Sequence, residues 1–412
     1  IADGAGVEYD DILIGNVVDH FDTALYVFLA PLFAQLFFPN SDPMICLISA
    51  YSVLASTIIT RPLGSYIFAI VALTHGPAVS LSYSLIGVGV STIALGIIPN
   101  YEQIGVYAPI LLIVIRFFGG IFSAGEVTIA KLYILSEKDE ANALKSSYFY
   151  QTSVMIGIVL ASFVSTIVLE HNNSENWRIC FFMGGGAALF GYILRIYKTK
   201  KLSLNSKQLL SLYSAGSIKI LYNNKIILLR ISITSGFAYM TYSVPFIIMN
   251  NLVPEFSNFS LEDMMTSNTI LLVMDMILLP IIGYFLAKLL KFELRNILLF
   301  SVSILAITIM PILYYITNSS FAYIISTKIW VIIIGIVFSN TIILWQDKLI
   351  PTTEKYLITG IGNSIGSTII GKMAPAICLG LYHYTGSSLV IGWFVLIVSL
   401  GTIWAIAWPE KT

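Results

Sequence analysis

Residues 195–230 read RIYKTKKLSLNSKQLLSLYSAGSIKILYNNKIILLR, eight basic side chains (Arg195, Lys198, Lys200, Lys201, Lys207, Lys219, Lys225 and Arg230) without an acidic one among them. Long apolar runs flank this stretch on both sides. A hydrocarbon core about 30 Å thick takes about 20 helical residues at 1.5 Å each. Breaking the chain at its polar, Pro and Asn clusters gives such runs at 12–38, 43–70, 78–98, 104–134, 143–169 and 177–197. Six more follow at 223–251, 264–290, 295–316, 321–347, 356–384 and 388–408. The basic stretch therefore separates two equal sets. Lys and Arg in short loops are retained on the cytoplasmic side, so residues 198–222 are expected to be a cytoplasmic linker between a six-helix bundle at 1–197 and a second at 223–412. Lys138, Lys145, Lys288, Lys291, Arg295, Lys348 and Lys355 fall in loops of the same side, whereas Asp42, Glu102, Glu170, Glu175, Glu255, Glu262 and Asp263 fall in the opposite ones. Both termini are then cytoplasmic.

Composition agrees with this reading and excludes others. The 412 residues are 57% hydrophobic and 11% charged, with a mean hydropathy of +0.86, against about 25% charged in soluble domains. A soluble fold is excluded. The 22 Lys+Arg balance 22 Asp+Glu, so no net field recruits nucleic acid. Four His and three scattered Cys (Cys46, Cys180, Cys378) offer little for a metal or a redox pair, and no metal or cofactor is expected. The acidic start (Asp3, Glu8, Asp10, Asp11) is unlike the basic opening of a removable signal peptide. No phosphate-binding loop precedes a Lys-Ser/Thr pair, which leaves an ion gradient rather than ATP as the energy source. Nothing points to an enzyme.

A trace of internal repetition survives where Arg61-Pro62-Leu63-Gly64-Ser65-Tyr66 echoes Leu279-Pro280-Ile281-Ile282-Gly283-Tyr284. Two parallel six-helix halves around a midplane site are a known transporter architecture. Charges inside the spans mark that site, because an ionisable group at the bilayer centre costs about 2.5 to 3.5 kcal/mol on insertion scales and must face a cavity or a partner. Seven pass this filter: Asp19, Asp22, Arg116, Glu126, Lys131, Asp275 and Lys372. Asn16, Asp19, Thr23 and Tyr26 follow a 3, 4, 3 spacing on one face of the first helix. Two carboxylates crowded into a partly dry cavity favour holding a proton, which makes Asp19, Asp22 and Glu126 the proton-coupling candidates. The alternative is a permanent brace of these carboxylates with Lys131. Arg116 offers a carboxylate a fixed fork of donors, and with Asn16, Tyr26, Lys372 and Asp275 it completes the expected solute contacts; an ion pair with Asp19 or Asp22 is the competing reading of Arg116. A mutual Asp275–Lys372 salt bridge is the competing reading. Arg61 and Lys131 are candidate gating or charge-pair residues. Lys328 is expected to snorkel outward, and His20 either relays protons or packs.

Gly15-Asn16-Val17-Val18-Asp19-His20-Phe21-Asp22, with Ala24-Leu25-Tyr26 and Phe37-Phe38-Pro39, resembles the first helix of the metabolite:proton symporter family of the major facilitator superfamily, which includes proline/betaine transporters. Arg61-Pro62-Leu63-Gly64 resembles its second-helix ending. Arg116 to Glu126, with Gly120 and Gly125, resembles its fourth-helix signature, followed by Tyr133 and Glu137, and Trp177-Arg178 resembles the opening of its sixth. The C-terminal half matches through Gly371 and Pro375. Departures are specific: Asp19-His20 stands where the family has Glu-Trp, Gly119 where a Gln is usual, and Lys131 at a normally small position. Lys372 replaces a Gly, and Ala72-Leu73-Thr74-His75-Gly76-Pro77-Ala78 replaces a charged loop, keeping only its Gly.

The resemblance implies an all-helical, twelve-span facilitator that imports a small carboxylate-bearing or zwitterionic metabolite by proton symport. It implies a monomer in contact with membrane lipid, in a bacterial inner membrane. Two rival readings are transport of a larger polycarboxylate such as a siderophore, and a non-transporting receptor built on the same fold.

Overall fold

The computed structural model describes residues 9–40, 42–135, 140–170, 176–198, 219–288, 293–350 and 355–409. Outside them lie most of the basic linker (199–218), Asp3, Glu8, Glu137, Lys138, His171, Glu175 and Lys291. The side chains of Asp10, Asp11, Leu73, Lys131, Tyr133, Glu170, Arg195, Lys198 and Lys355 are likewise outside. Among the described residues the secondary structure is helical throughout.

Twelve spans follow one another. We number them α1 (Tyr9–Phe28 with Ala30–Phe37), α2 (Pro43–Ser52 to Thr57–His75), α3 (Pro77–Ile97), α4 (Tyr107–Leu135), α5 (Glu140–Glu170) and α6 (Trp177–Lys198). The second half comprises α7 (Lys225–Ser243 to Met249–Phe256), α8 (Leu261–Lys288), α9 (Leu294–Tyr314), α10 (Phe321–Lys348), α11 (Lys355–Gly366 to Ala374–Thr385) and α12 (Val390–Ala407). Ten are long and apolar enough to cross a membrane unaided, α1 joins them as a bent pair, and α6 has a shorter apolar helix at Trp177–Ile193. The expected spans thus recur, with α7 running on to Phe256.

Three spans are irregular for identifiable reasons. α1 bends by 58° where Pro31 opens its second piece. Proline has no N–H to offer the carbonyl four residues back, here Val27, and the Tyr51 hydroxyl donates to that carbonyl instead at 3.3 Å. α7 and α11 each contain a π-helical turn, Val244–Ile248 and Ser367–Lys372. Such turns are frequent at functional sites. At the α2–α3 corner Gly76 has φ +93°, which an L side chain rarely adopts, so the one residue kept from the expected loop has a backbone reason.

Glycines set how closely helices approach. Cβ atoms added at Gly120 and Gly125 would fall 2.4 Å from Thr60 Oγ1 and 2.5 Å from the Phe68 ring, so these signature glycines let α4 lie against α2. Arg178 donates to the carbonyls of Gly96 (2.9 Å) and Ile98 (2.6 Å), closing the end of α3. Its neighbour Trp177 packs edge-on against Phe33 and Phe181.

The halves meet at both ends of a central cleft. At the linker end the Ser65 and Ser364 hydroxyls are 2.6 Å apart, and Gly360 lies against Thr128 and Ser65. At the far end Asn251 Nδ2 donates to the Tyr51 hydroxyl (2.9 Å), and His383 Nε2 lies 3.7 Å from Asp42 Oδ2. Along the side, Ser162 and Thr269 are 2.8 Å apart and join α5 to α8. Close-packed hydroxyls and glycines hold the linker end, where the family pattern has charged residues.

One packing point is unforgiving. A Cβ on Gly366 would lie 1.9 Å from the Ser232 carbonyl oxygen, a backbone atom that cannot turn aside. Gly366→Ala is expected to force α11 off α7 at a cost of about 1 to 3 kcal/mol, read as a lowered Tm of the detergent-solubilised protein, whereas Gly380→Ala, with open space around it, should leave Tm unchanged.

Candidate functional site

Two polar regions lie between the helices, one inside the first half and one in the cleft. In the first, α1 presents Asp22 to α4 and α3. Arg116 Nη1 lies 3.1 Å from Asp22 Oδ2, and the Thr92 hydroxyl donates to Asp22 Oδ1 at 2.8 Å. The guanidinium also sits over the Tyr26 ring, 4.3 Å from its centroid, and the Tyr26 hydroxyl donates to the Ala50 carbonyl at 2.8 Å. An arginine out of water needs this much company. One helical turn towards the linker end, Asp19 is 1% exposed, and neither carboxylate oxygen has a hydrogen-bond partner among the described residues. Its charged neighbours are Arg61, Glu126 and Asp22. Arg61 donates to the Ser123 hydroxyl at 2.9 Å, and the Ser84 hydroxyl donates to Glu126 Oε2 at 3.1 Å.

The second region is a cavity of ≈ 200 Å³ lined from both halves. His20, Tyr150 and Gln151 face it from the first half, and Asp275, Gln346, Asn363 and Lys372 from the second. Its linker-end floor is a hydrogen-bonded patch: Ser235 donates to Asn363 Oδ1, and Gln346 Nε2 donates to Ser235 Oγ (2.9 Å) and Thr234 Oγ1 (3.1 Å). Apolar side chains, including Leu54, Ile247, Ile336 and Ile343, form much of the remaining wall. Asp275 and Lys372 reach this space without a hydrogen bond or an ion pair among the described residues. The π-helical turn of α11, closed by Met373 N–H donating to the Thr368 carbonyl at 3.1 Å, ends on Lys372 and so sets where its stem leaves the helix.

A profile of the Major Facilitator Superfamily matches residues 12–375. The chain belongs to that superfamily. Among relatives of this facilitator, the alpha-ketoglutarate permease of Escherichia coli (strain K12) is 26% identical over 398 residues, 94% of this chain and 89% of that protein. The proline/betaine transporter of Salmonella typhimurium is 31% identical over 187 residues, which span 44% of this chain and 37% of the transporter. Among solved structures, the proton:xylose symporter XylE of E. coli, bound to 6-bromo-6-deoxy-D-glucose, shares the fold with a TM-score of 0.73 at 12% identity, over 97% of this chain and 94% of its own.

The facilitator's geometry separates residues that the sequence placed together. Asn16, Tyr26 and Arg116, expected at the solute, do not line the cavity: Asn16 Nδ2 donates to Ser153 Oγ at 2.7 Å and ties α1 to α5, while Arg116 lies over the Tyr26 ring and takes the competing reading, an ion pair with Asp22. A polar stripe on one helix can face its own bundle as readily as a cavity. Lys372 and Asp275 do face the cavity and do not form the salt bridge offered as their alternative. Arg61 and Glu126 lie beside Asp19, whereas the side chain of Lys131 is outside the described residues. Lys328, expected to snorkel, is fully buried and donates to Asn250 Oδ1, because its face of α10 turns towards α7 rather than lipid. Sequence reasoning missed the floor residues Gln346, Asn363 and Ser235. An amide inside an apolar span was the available signal, and a search for formal charge passes over it.

Asp22→Asn should leave Arg116 buried with its charge uncompensated, a loss of about 3 to 5 kcal/mol read as a lowered Tm. The double replacement Asp22→Asn with Arg116→Gln should recover much of that loss. Equal destabilisation by the single and double variants would show that the pair contributes nothing to stability.

Proposed function

We propose that this facilitator imports a small metabolite carrying a carboxylate, dicarboxylate or zwitterion, together with protons, by rocking its two halves about the central cavity. The observation that carries this reading is the place of Lys372: its side chain opens into a largely apolar cavity, with no carboxylate paired to it among the described residues. A charge so placed is costly unless something pairs with it, and a solute carboxylate supplies that partner. Asp275 in the same cavity accepts an ammonium where the solute has one, and the Gln346–Ser235–Asn363 floor supplies directional hydrogen bonds. The names of the relatives, alpha-ketoglutarate permease and proline/betaine transporter, designate solutes with this chemistry. A cavity of ≈ 200 Å³ suits a small solute better than a siderophore.

Proton coupling falls to the carboxylates of the first half. Asp19, buried beside Glu126 and Arg61, is the group that takes up and releases the coupled proton. Asp22 is tied to Arg116 and serves as the second proton site when that pair opens. The protein works as a monomer in a bacterial inner membrane, with both termini and the basic linker in the cytoplasm, following the Lys and Arg distribution.

Proteoliposomes holding the purified protein, with an inward acid gradient, should accumulate labelled 2-oxoglutarate or proline and lose that accumulation with a protonophore. Lys372→Gln should lower uptake and counterflow together by at least about tenfold, the scale of one charge-assisted hydrogen bond. Asp19→Asn should abolish uphill uptake and spare counterflow, which needs no net proton movement. Uphill uptake by Asp19→Asn with an unchanged pH profile would remove Asp19 from the coupling.

Orientation has its own check. Cys46, Cys180 and Cys378 are buried, so background labelling is low. A single cysteine introduced as Ser206→Cys should react with an impermeant maleimide only after cells are permeabilised, and ready labelling from outside would invert the topology.

A further inference from the structure

His20 stands beside the coupling carboxylates and lines the solute cavity, and the reading above assigns it no task. Its Nδ1 is 2.9 Å from the Asn16 carbonyl oxygen. A carbonyl only accepts, so Nδ1 carries a hydrogen in every protonation state of the ring. The backbone thereby fixes the tautomer and leaves Nε2 as the atom that changes. Asn16 is itself held by Ser153 and by the Tyr150 carbonyl, so the carbonyl that pins the ring cannot swing away. Nε2 has no hydrogen bond among the described residues and is not sealed off, which leaves it open to the cavity.

The charged and titratable groups around this ring are Asp19 on α1, with Oδ2 3.9 Å from Nδ1, and Arg61 on α2 and Lys372 on α11, both within electrostatic reach; Tyr150 on α5, Tyr239 and Tyr242 on α7 and Asp275 on α8 share the cavity with it. Lys372 shares the cavity with His20 and lies within electrostatic reach of it, from the opposite half of the protein.

Resting on the carboxylate reading above, we infer that His20 and Lys372 are two jaws, one from each half, that close on the same solute carboxylate, and that the His20 jaw works only when protonated. A neutral ring offers the lone pair of Nε2 to an anion that has only lone pairs to return, and the two repel. Protonation turns Nε2 into an N–H donor, and the same geometry becomes a charge-assisted hydrogen bond. Because the jaws belong to different halves, a carboxylate that satisfies both also holds the cleft shut around itself. Proton and solute thus meet at one atom, and binding tightens as pH falls through the imidazole titration.

The test is equilibrium binding of 2-oxoglutarate, citrate and proline to the full-length protein in detergent at pH 8 and pH 4. The wild type should bind one of these probes on the order of tenfold tighter at the lower pH, the effect of one charge-assisted hydrogen bond. His20→Gln should bind at the weaker level at both pH values. His20→Arg, permanently charged, should bind at the tighter level at both. A His20→Gln or His20→Arg protein that keeps the wild-type pH dependence overturns the clamp while leaving the carboxylate reading intact. Lys372→Gln with undiminished affinity overturns the Lys372 contact, and with it the two-jaw arrangement. Failure of the wild type to bind any of the three probes at either pH overturns the carboxylate reading itself, on which the clamp stands.

Discussion

An arginine in the middle of a bilayer is tolerable only with a carboxylate within reach, and here that carboxylate is Asp22. The 3.1 Å contact to Arg116 fixes how α1 lies on α4, and the Tyr26 ring beneath the guanidinium leaves the pair little freedom to slide. The rest of α1 follows from that registration. Asp19 and His20 sit one turn or less from Asp22 in sequence, so anchoring Asp22 towards α4 sends Asp19 into the bundle and His20 into the cleft. The solute cavity is shaped from the first half by residues whose directions the pair has already set.

The second half supplies the complementary asymmetry. Its charged residues at the cavity, Asp275 and Lys372, are not neutralised by their own bundle, whereas Asp22 and Arg116 neutralise each other. One half keeps its charges in a fixed internal arrangement and the other leaves them for whatever occupies the cleft. Hydroxyl and amide contacts at the two ends, Ser65–Ser364 and Tyr51–Asn251, are weak enough individually to be exchanged as the halves rock. This division of labour suits a protein that must move without coming apart.

The fold was legible because the membrane imposes a coarse rule of span length, which ten of the twelve segments meet unaided and α1 meets as a bent pair, while α6 falls short of it. What the rule misses is direction. Hydropathy places Lys328 near one end of α10 but does not say that its face turns inward to Asn250, and the periodicity of Asn16 and Tyr26 finds a stripe without saying which neighbour it meets. The 58° bend of α1 falls at Pro31, inside what hydropathy gives as one continuous run, and its effect, freeing the Val27 carbonyl for Tyr51, is a tertiary event. Among the site residues, Asp275 and Lys372 stood out because charge is expensive in lipid. His20, Gln346 and Asn363 carry no obligatory charge, so a search for formal charge inside the spans passes over the two amides and leaves His20 with both a relay and a packing reading.

The π-helical turn of α11 has a consequence for how such a site arises. A turn that spans five residues where four would do holds one residue more than a regular helix needs, and each residue of an α-helix advances it by about 100°. Everything beyond Ser367–Lys372 is therefore rotated relative to the first part of the span by roughly that angle. Deleting a single residue within the turn would wind the helix back to regularity and carry the segment from Ala374 to Thr385 round with it, Pro375 of the cavity wall and His383 of the far-end contact included. In this helix the unit of evolutionary change that reshapes the binding surface is the insertion or loss of one residue, a step that leaves the span's length and hydropathy almost untouched while presenting a different set of side chains to the solute.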